Sequence, residues 1–310
     1  MAVNKIKQYT GTFEYIYTPR RPAAYAADGG SVSLFTSELG GGGRNVKGAT
    51  YRVHKFTTSS DITFNQAGYV DVLIVGGGGA GGASYNHDMG GGGGAGGLIE
   101  RYNHYVDAGT YSVNVGAGGT PSNGASLSAK GSNSSFGNIV AFGGGRGGNR
   151  YATYDRTHMA GGSGGGGADN SDLGADGISG QGFNGGNSWG DISGGGGGAG
   201  GSGGSPIDGF VTCFGGQGRP TYFDNDYGDW MAGGGAGSYR NGKRNERGIA
   251  LGGRGGGGDG GTAGDGEQRR NGNPATYYGS GGAAGYSNTT QWNNGGAGYQ
   301  GIVIVRYLIT

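Results

Sequence analysis

The sequence holds one cysteine, Cys213, and six prolines, and each scarcity excludes a fold class. A single thiol rules out a disulfide scaffold and any cysteine-rich metal site. Six prolines rule out collagen, which needs abundant proline between glycines at every third position. Charge is scarce as well: 14% of residues are charged, and 22 Lys and Arg nearly cancel 21 Asp and Glu, leaving a net charge of +1. Such a chain has no electrostatic case for nucleic acid or for an acidic membrane. Long hydrophobic runs are missing, the longest being stretches such as Val72 to Val75 and Ile302 to Val305, far short of a bilayer span. No basic and apolar leader opens MAVNKIKQYTGTFEY, so the expectation is a soluble, not conventionally secreted protein. No window carries an apolar period of 3.6, which predicts almost no α-helix.

What the chain has instead is glycine, 86 of 310 residues, about 28% where an ordinary chain has roughly 7%. The glycines cluster at Gly40 to Gly43, Gly76 to Gly82, Gly90 to Gly97, Gly143 to Gly148, Gly161 to Gly167 and Gly194 to Gly204, then at Gly233 to Gly237, Gly252 to Gly261, Gly279 to Gly285 and Gly295 to Gly298. Their irregular spacing excludes a fixed-period solenoid. Glycine loses more backbone entropy on ordering than any other residue and buries no side chain. A glycine tract makes a poor helix and has no side chains to fix strand register. The extended, left-handed, three-residue-per-turn polyproline II geometry suits it better, and its amides must then pair with neighbouring tracts. The expected fold is therefore mainly β plus polyglycine II: a bundle of glycine-rich extended helices packed with β-sheets.

Segments between the clusters carry β-branched and aromatic residues with period-two alternation. The expected strands are Thr12 to Tyr17, Thr50 to Thr57, Asp61 to Phe64, Tyr69 to Val75, Leu98 to Val106, Thr110 to Val115, Ser134 to Phe142, Phe210 to Phe214 and Tyr299 to Ile309. The last closes the glycine-rich part as one domain. Five motifs, in order, carry a resemblance: KFTTSSDITFNQAGYVDVLIVGGGGAGG (Lys55 to Gly82), GGGGAGGLIE (Gly91 to Glu100), DAGTYSVNVGAGG (Asp107 to Gly119), NSSFGNIVAFGGGRGG (Asn133 to Gly148) and GIVIVRY (Gly301 to Tyr307). The sequence resembles the glycine-rich domain of bacteriophage tail fibres and tail-tip adhesins over roughly residues 50 to 310. That resemblance implies polyglycine II helices beside β-sheets, variable loops at an end of the bundle, and a virion structural or host-recognition role. Residues 1–49 lie outside it and are expected to be an attachment segment, with 50–310 as the glycine-rich domain.

Enzymatic motifs fare poorly. VDVLIVGGGGAGG satisfies G-x-G-x-x-G at Gly76, Gly78 and Gly81, with Glu100 at the spacing of a ribose-binding acid, yet a dinucleotide site needs a helix facing the pyrophosphate. The residues that follow, GGASYNHDMGGGGGAGG, do not supply one. His54, His87, His104 and His158 are dispersed, with no HExxH pair, and read as surface or loop residues. Cys213 reads as a buried strand thiol. DNDYGD, Asp224 to Asp229, lacks the glycine and distal glutamate of an EF-hand loop and reads as solvated loop. Arg146 and Arg254, each in an Arg-Gly-Gly element, read as arginines decorating a glycine helix. No enzyme, cofactor or metal is expected.

The segments between later tracts are rich in Tyr, Trp, Asn, Asp, Arg and Ser, nearly the alphabet of an antibody paratope. Receptor-binding candidates are Tyr151, Tyr154, Trp189, Tyr222, Phe223, Tyr227, Trp230, Tyr277, Tyr278 and Trp292, with Gly76, Gly78, Gly93, Gly196 and Gly256 as structural glycines. Each aromatic has two readings, a contact residue or a cover for the bundle, and the polar neighbours favour recognition for the set. The expected function is a phage tail-fibre or tail-tip adhesin that displays loops to a host glycan or outer-membrane protein. The alternative is a purely structural fibre connector, capsid decoration or filament subunit. Expected partners are a host surface receptor and other virion proteins, with a homo-oligomer among the allowed assemblies. The expected location is the extracellular particle, assembled in the host cytoplasm.

Overall fold

The computed structural model describes residues 25–40, 45–86, 88–122, 126–149, 156–168, 172–206, 213–239, 250–260, 269–287 and 289–309. Its strands are β1 (Tyr25–Asp28), β2 (Ser31–Thr36), β3 (Thr50–Phe56), β4 (Ser60–Gln66), β5 (Gly68–Val75), β6 (Leu98–Val106), β7 (Gly109–Asn114), β8 (Ser134–Phe136), β9 (Ile139–Ala141), β10 (Arg219–Thr221), β11 (Asp229–Met231), β12 (Arg269–Arg270), β13 (Tyr286–Ser287) and β14 (Ile302–Leu308). One four-residue helix, α1 (Arg156–Met159), is the only helix among the described residues.

Two five-stranded antiparallel sheets form, in the orders β2-β3-β14-β5-β6 and β1-β4-β7-β8-β9. Alternation explains how they stack. Val70, Val72 and Ile74 of β5 and Val303, Val305 and Tyr307 of β14 face Ile62, Phe64, Val113 and Phe136 of the second sheet in one core. The opposite faces of the same strands, Leu73, Val75, Ile302 and Ile304, pack with Ala95, Ala199, Phe223 and Met231 from the glycine-rich part. Burial on both faces is why β5 and β14 read as nearly continuous hydrophobic runs. The strand β14 sits between β3 and β5.

Several expectations change. Ser134 to Phe142 is a hairpin, because the chain reverses at Gly137 in the left-handed region (φ 54°). Cys213 and Phe214 lie in no strand, and residues 210–212, like Thr12 to Tyr17, fall outside the described residues. The boundary expected at residue 49 cuts through both sheets, since β1 pairs with β4 and β2 with β3. The SVSLFT alternation in β2 answers that of β3, so the sheets begin by Tyr25.

The glycine tracts are neither helix nor strand, and their hydrogen bonds repeat every third residue. Gly76, Gly79 and Gly82 donate to Gly97, Gly94 and Gly91; Gly77 and Ala80 donate to Ser132 and Ala129; Gly78 and Gly81 donate to Tyr299 and Gly296. Successive amides thus address three different neighbours in rotation. Tract 91–97 lies at the centre: it donates to 142–148, 194–197 and 279–282, and accepts from 76–82, 163–166 and Gly235. Its bonds to 142–148 run antiparallel and those to 194–197 parallel, so direction is not what organises the layer. Pairing of buried amides with carbonyls of neighbouring tracts is.

Such close approach needs glycine. A β-carbon on Gly76 would overlap Phe142 O, on Gly78 Ser280 O, on Gly93 Gly79 O, and on Gly196 Gly93 O. Gly256 differs, because it lies in a turn at φ +98° with Tyr277 against it. Arg146 is fully packed rather than decorating a surface, since its tract, 142–148, borders the central one.

Two buried groups give early tests. Burial pushes the Cys213 thiol up to about 12, so a thiol reagent is expected to leave native protein unlabelled and to react only on denaturation. Stoichiometric labelling of native chain would contradict this packing. His54 is not a loop residue: it is fully buried on β3, its Nδ1 is 2.7 Å from Gly29 O, and its ring stacks on Tyr307. Burial, joined by the Arg52 charge, holds its pKa below the ordinary 6.5 against the opposing Gly29 bond. Below pH 6.5 the unfolded chain takes up a proton that the folded ring refuses, so stability should fall as pH drops through that value. The partly buried His104 acts in the same direction. His54→Phe should flatten the dependence of the urea midpoint, and an unchanged pH profile in that variant would contradict the assignment.

Candidate functional site

The hydrogen-bond register sorts the loops into two groups. Gly76, Gly97 and Phe142 are linked in series, and Gly96 donates to Gly279, so these positions share the end where tracts meet sheets. Gly82, Gly91, Gly148 and Gly166 are linked in the same way at the opposite end. Those of the expected recognition residues that are described divide between the two ends.

At the sheet end stands the hairpin of β10 and β11, which carries Tyr222, Phe223, Tyr227 and Trp230. Arg306 of β14, fully buried, fastens it. Its Nε donates to Asp71 Oδ2 at 3.1 Å, while one terminal nitrogen donates to Asn45 Oδ1 and Tyr222 O at 2.8 Å and to Phe223 O at 3.2 Å. The guanidinium lies over the rings of Tyr51 and Phe223, 4.4 and 4.8 Å from their centroids. Asp226 accepts from Ser37 Oγ, the Glu38 and Leu39 amides and Asn45 Nδ2. Asp224 pairs with Lys55. The DNDYGD stretch is therefore not a solvated loop: Asp224 ties the hairpin to β3 and Asp226 ties it to residues 37–39 and Asn45.

The aromatics here are mostly engaged. Phe223 is fully buried and packs on Tyr102, which removes it from any exposed surface. Trp230 lies on β11, half-buried, with Arg254 4.0 Å above its ring. Tyr277 and Tyr278 pack against the core on the bundle side of the first sheet. Burial, then the charges of Asp229 and Asp224, push the Tyr277 hydroxyl up to about 12. Only Tyr227 stands clear, 86% exposed, where Asn225 Oδ1 caps its amide and that of Gly228.

At the far end, Trp189 is 51% exposed in a tight turn closed by its own bonds to Ile192. Trp292 stacks on Tyr85 at 4.7 Å between centroids, where segments 84–86 and 289–293 pair through Ser84 with Asn293 and Asn86 with Thr289. Tyr151 and Tyr154 lie outside the described residues.

Sequence reasoning missed one use of the polar residues. Where a tract amide meets no carbonyl of a neighbouring tract, a side-chain oxygen accepts from it instead. Asn187 and Asn184 accept from the amides of Gly174 and Gly177, three residues apart. Asn133 accepts from Gly143, Gln181 from Phe142, Gln217 from Arg254, Asp259 from Gly252 and Asn271 from Asn294. Covering the bundle thus consumes amides as well as aromatics. The only available signal was an Asn or Gln close to a tract, which does not say which amide it meets.

Among the described residues no helix follows Gly76 to Gly82, and Glu100 is bound by Arg219 at 2.9 Å. That ion pair lines an open, polar groove of about 390 Å³ beside β6, with Leu98, Arg101, Tyr102 and Gly180. No group of three or more His, Cys, Asp or Glu among the described residues is placed to hold a metal ion. No helix among the described residues is long and apolar enough to cross a membrane. A family model for a glycine-rich domain matches residues 55–308. No curated protein matches the chain.

Proposed function

The chain belongs to the glycine-rich domain family, and from that premise we propose that it is a phage tail-fibre or tail-tip adhesin whose glycine tracts are polyglycine II helices. The period-three hydrogen bonding supports the helix geometry, because a threefold helix turns each successive amide by a third of a circle. The six steps from Gly76 to Gly82 then span about 19 Å at 3.1 Å each. One observation carries the functional reading: the tracts send a second set of loops, with Trp189, Tyr85 and Trp292, to the end opposite the sheets. The N-terminal strands lie with the sheets, so attachment to a virion at that side leaves the far loops free to meet a host receptor. Aromatic faces there suit a glycan ring or a protein loop.

The test is adsorption. Purified protein should block phage attachment to host cells, and Trp189→Ala should weaken that block by about 2 kcal/mol or more with little loss of folded protein. Trp230→Ala should lower stability instead, because its ring is covered by Arg254. A purified chain that neither binds cells nor blocks adsorption, but is required for particle assembly, would replace this reading with the structural one.

A further inference from the structure

Among the described residues the two sheets have four outer edges, and three carry devices that discourage further pairing. On β6, the pairing with β5 shifts register between Val70 and Val72, Asn103 adopts φ 54°, and Gln181 O occupies the Leu98 amide. On β1 the register shifts at both steps along β4. β9 is three residues long. β2 carries none of these devices: its six residues, SVSLFT, pair with β3 in unbroken register and contain no charge and no proline. Val32 and Leu34 are 45% and 67% exposed on it. Both share one face, because they pair with alternate residues of β3, His54 and Arg52.

We propose that β2 joins a second copy of this chain, antiparallel to its own counterpart across a two-fold axis at Ser33. The occupant follows from the strand itself. Opposite residues in an antiparallel pair point to the same face, so a two-fold axis normal to the sheet must pass through a residue position. Centred on Ser33, it sets Val32 of each copy against Leu34 of the other, so all four exposed apolar side chains find partners. An uncharged strand meets itself without repulsion, and such an isologous contact closes at two copies. The product is one continuous ten-stranded sheet, twice the five present. This inference is independent of the adhesin reading, since it uses only the sheet edge.

Sedimentation equilibrium on the full chain should give twice the 30.7 kDa chain mass. Leu34→Lys should raise the dimer dissociation constant about tenfold or more and lower the melting temperature only at concentrations where the parent is dimeric, the two melting alike once both are diluted to monomer, because that side chain is mostly exposed. Ser33→Cys should form a disulfide-linked dimer under oxidised glutathione, as directly opposed residues lie about 4.5 to 5.5 Å apart between Cα atoms. Ser31→Cys should not, because its mate lies about 14 Å along the strand; buried Cys213 takes no part. A monomer at every concentration with no Ser33→Cys link overturns the proposal. So does a dimer that Leu34→Lys leaves intact, or a trimer.

Discussion

Alanine at Gly196 is expected to unfold the protein or cost about 4 kcal/mol or more, in the range reserved for severe core damage, while alanine at Gly201 is expected to be nearly silent. Both are one-methyl changes in the same glycine cluster. At Gly196 the new carbon would overlap the carbonyl of Gly93 in the central tract, and backbone on both sides leaves nothing flexible to yield. At Gly201 it meets nothing nearer than Gln217 N at 3.7 Å, an ordinary contact, and reduced freedom in the unfolded chain would add up to about 1 kcal/mol of stability. Urea midpoints of the two variants give the comparison. Similar stabilities would mean that the tracts do not pack backbone to backbone.

Arg306→Met should be the most damaging side-chain substitution outside the tracts. The fully buried guanidinium serves β14, β5, the 45–46 turn and the β10–β11 hairpin at once. Methionine fills similar space but leaves Asp71 without its cation and the carbonyls of Tyr222 and Phe223 without a donor. Breaking one side of a buried ion pair costs about 3–5 kcal/mol. Asp71→Asn should cost less, and the double variant should lose less than the sum of the two. Additive losses would show that the two side chains act separately.

The sequence made the longer strands legible, by alternation in β3 and β6 and by continuous hydrophobic runs in β5 and β14. β3, β5, β6 and β14 lie close to where their Val, Ile and aromatic spacing put them. It misread Ser134 to Phe142 because a two-residue reversal at Gly137 leaves the hydrophobic pattern intact on both arms. It missed β2 because SVSLFT sits before the motifs that carry the family resemblance, and β10 and β11 because three-residue strands flank a turn-rich stretch. The binding candidates were harder still. Trp189 and Phe223 look alike in sequence, each aromatic among polar neighbours, yet one is half exposed and the other fully buried. What separates them is register between tracts, which places one beyond the far end and the other against Arg306. Glycine carries no side-chain signal of register, so that sorting was invisible. The same holds for Asn184 and Asn187, whose spacing matches the period of the tract they cap only once that tract is known.

Hydrogen exchange over residues 91–97 tests the central claim most directly. Every amide there is bonded to one of three neighbouring tracts in rotation, so these residues should exchange only through global unfolding, as slowly as the amides of β5 and β14. Exchange of Gly91 to Gly97 at the rate of exposed loops, while β5 and β14 stay protected, would contradict it.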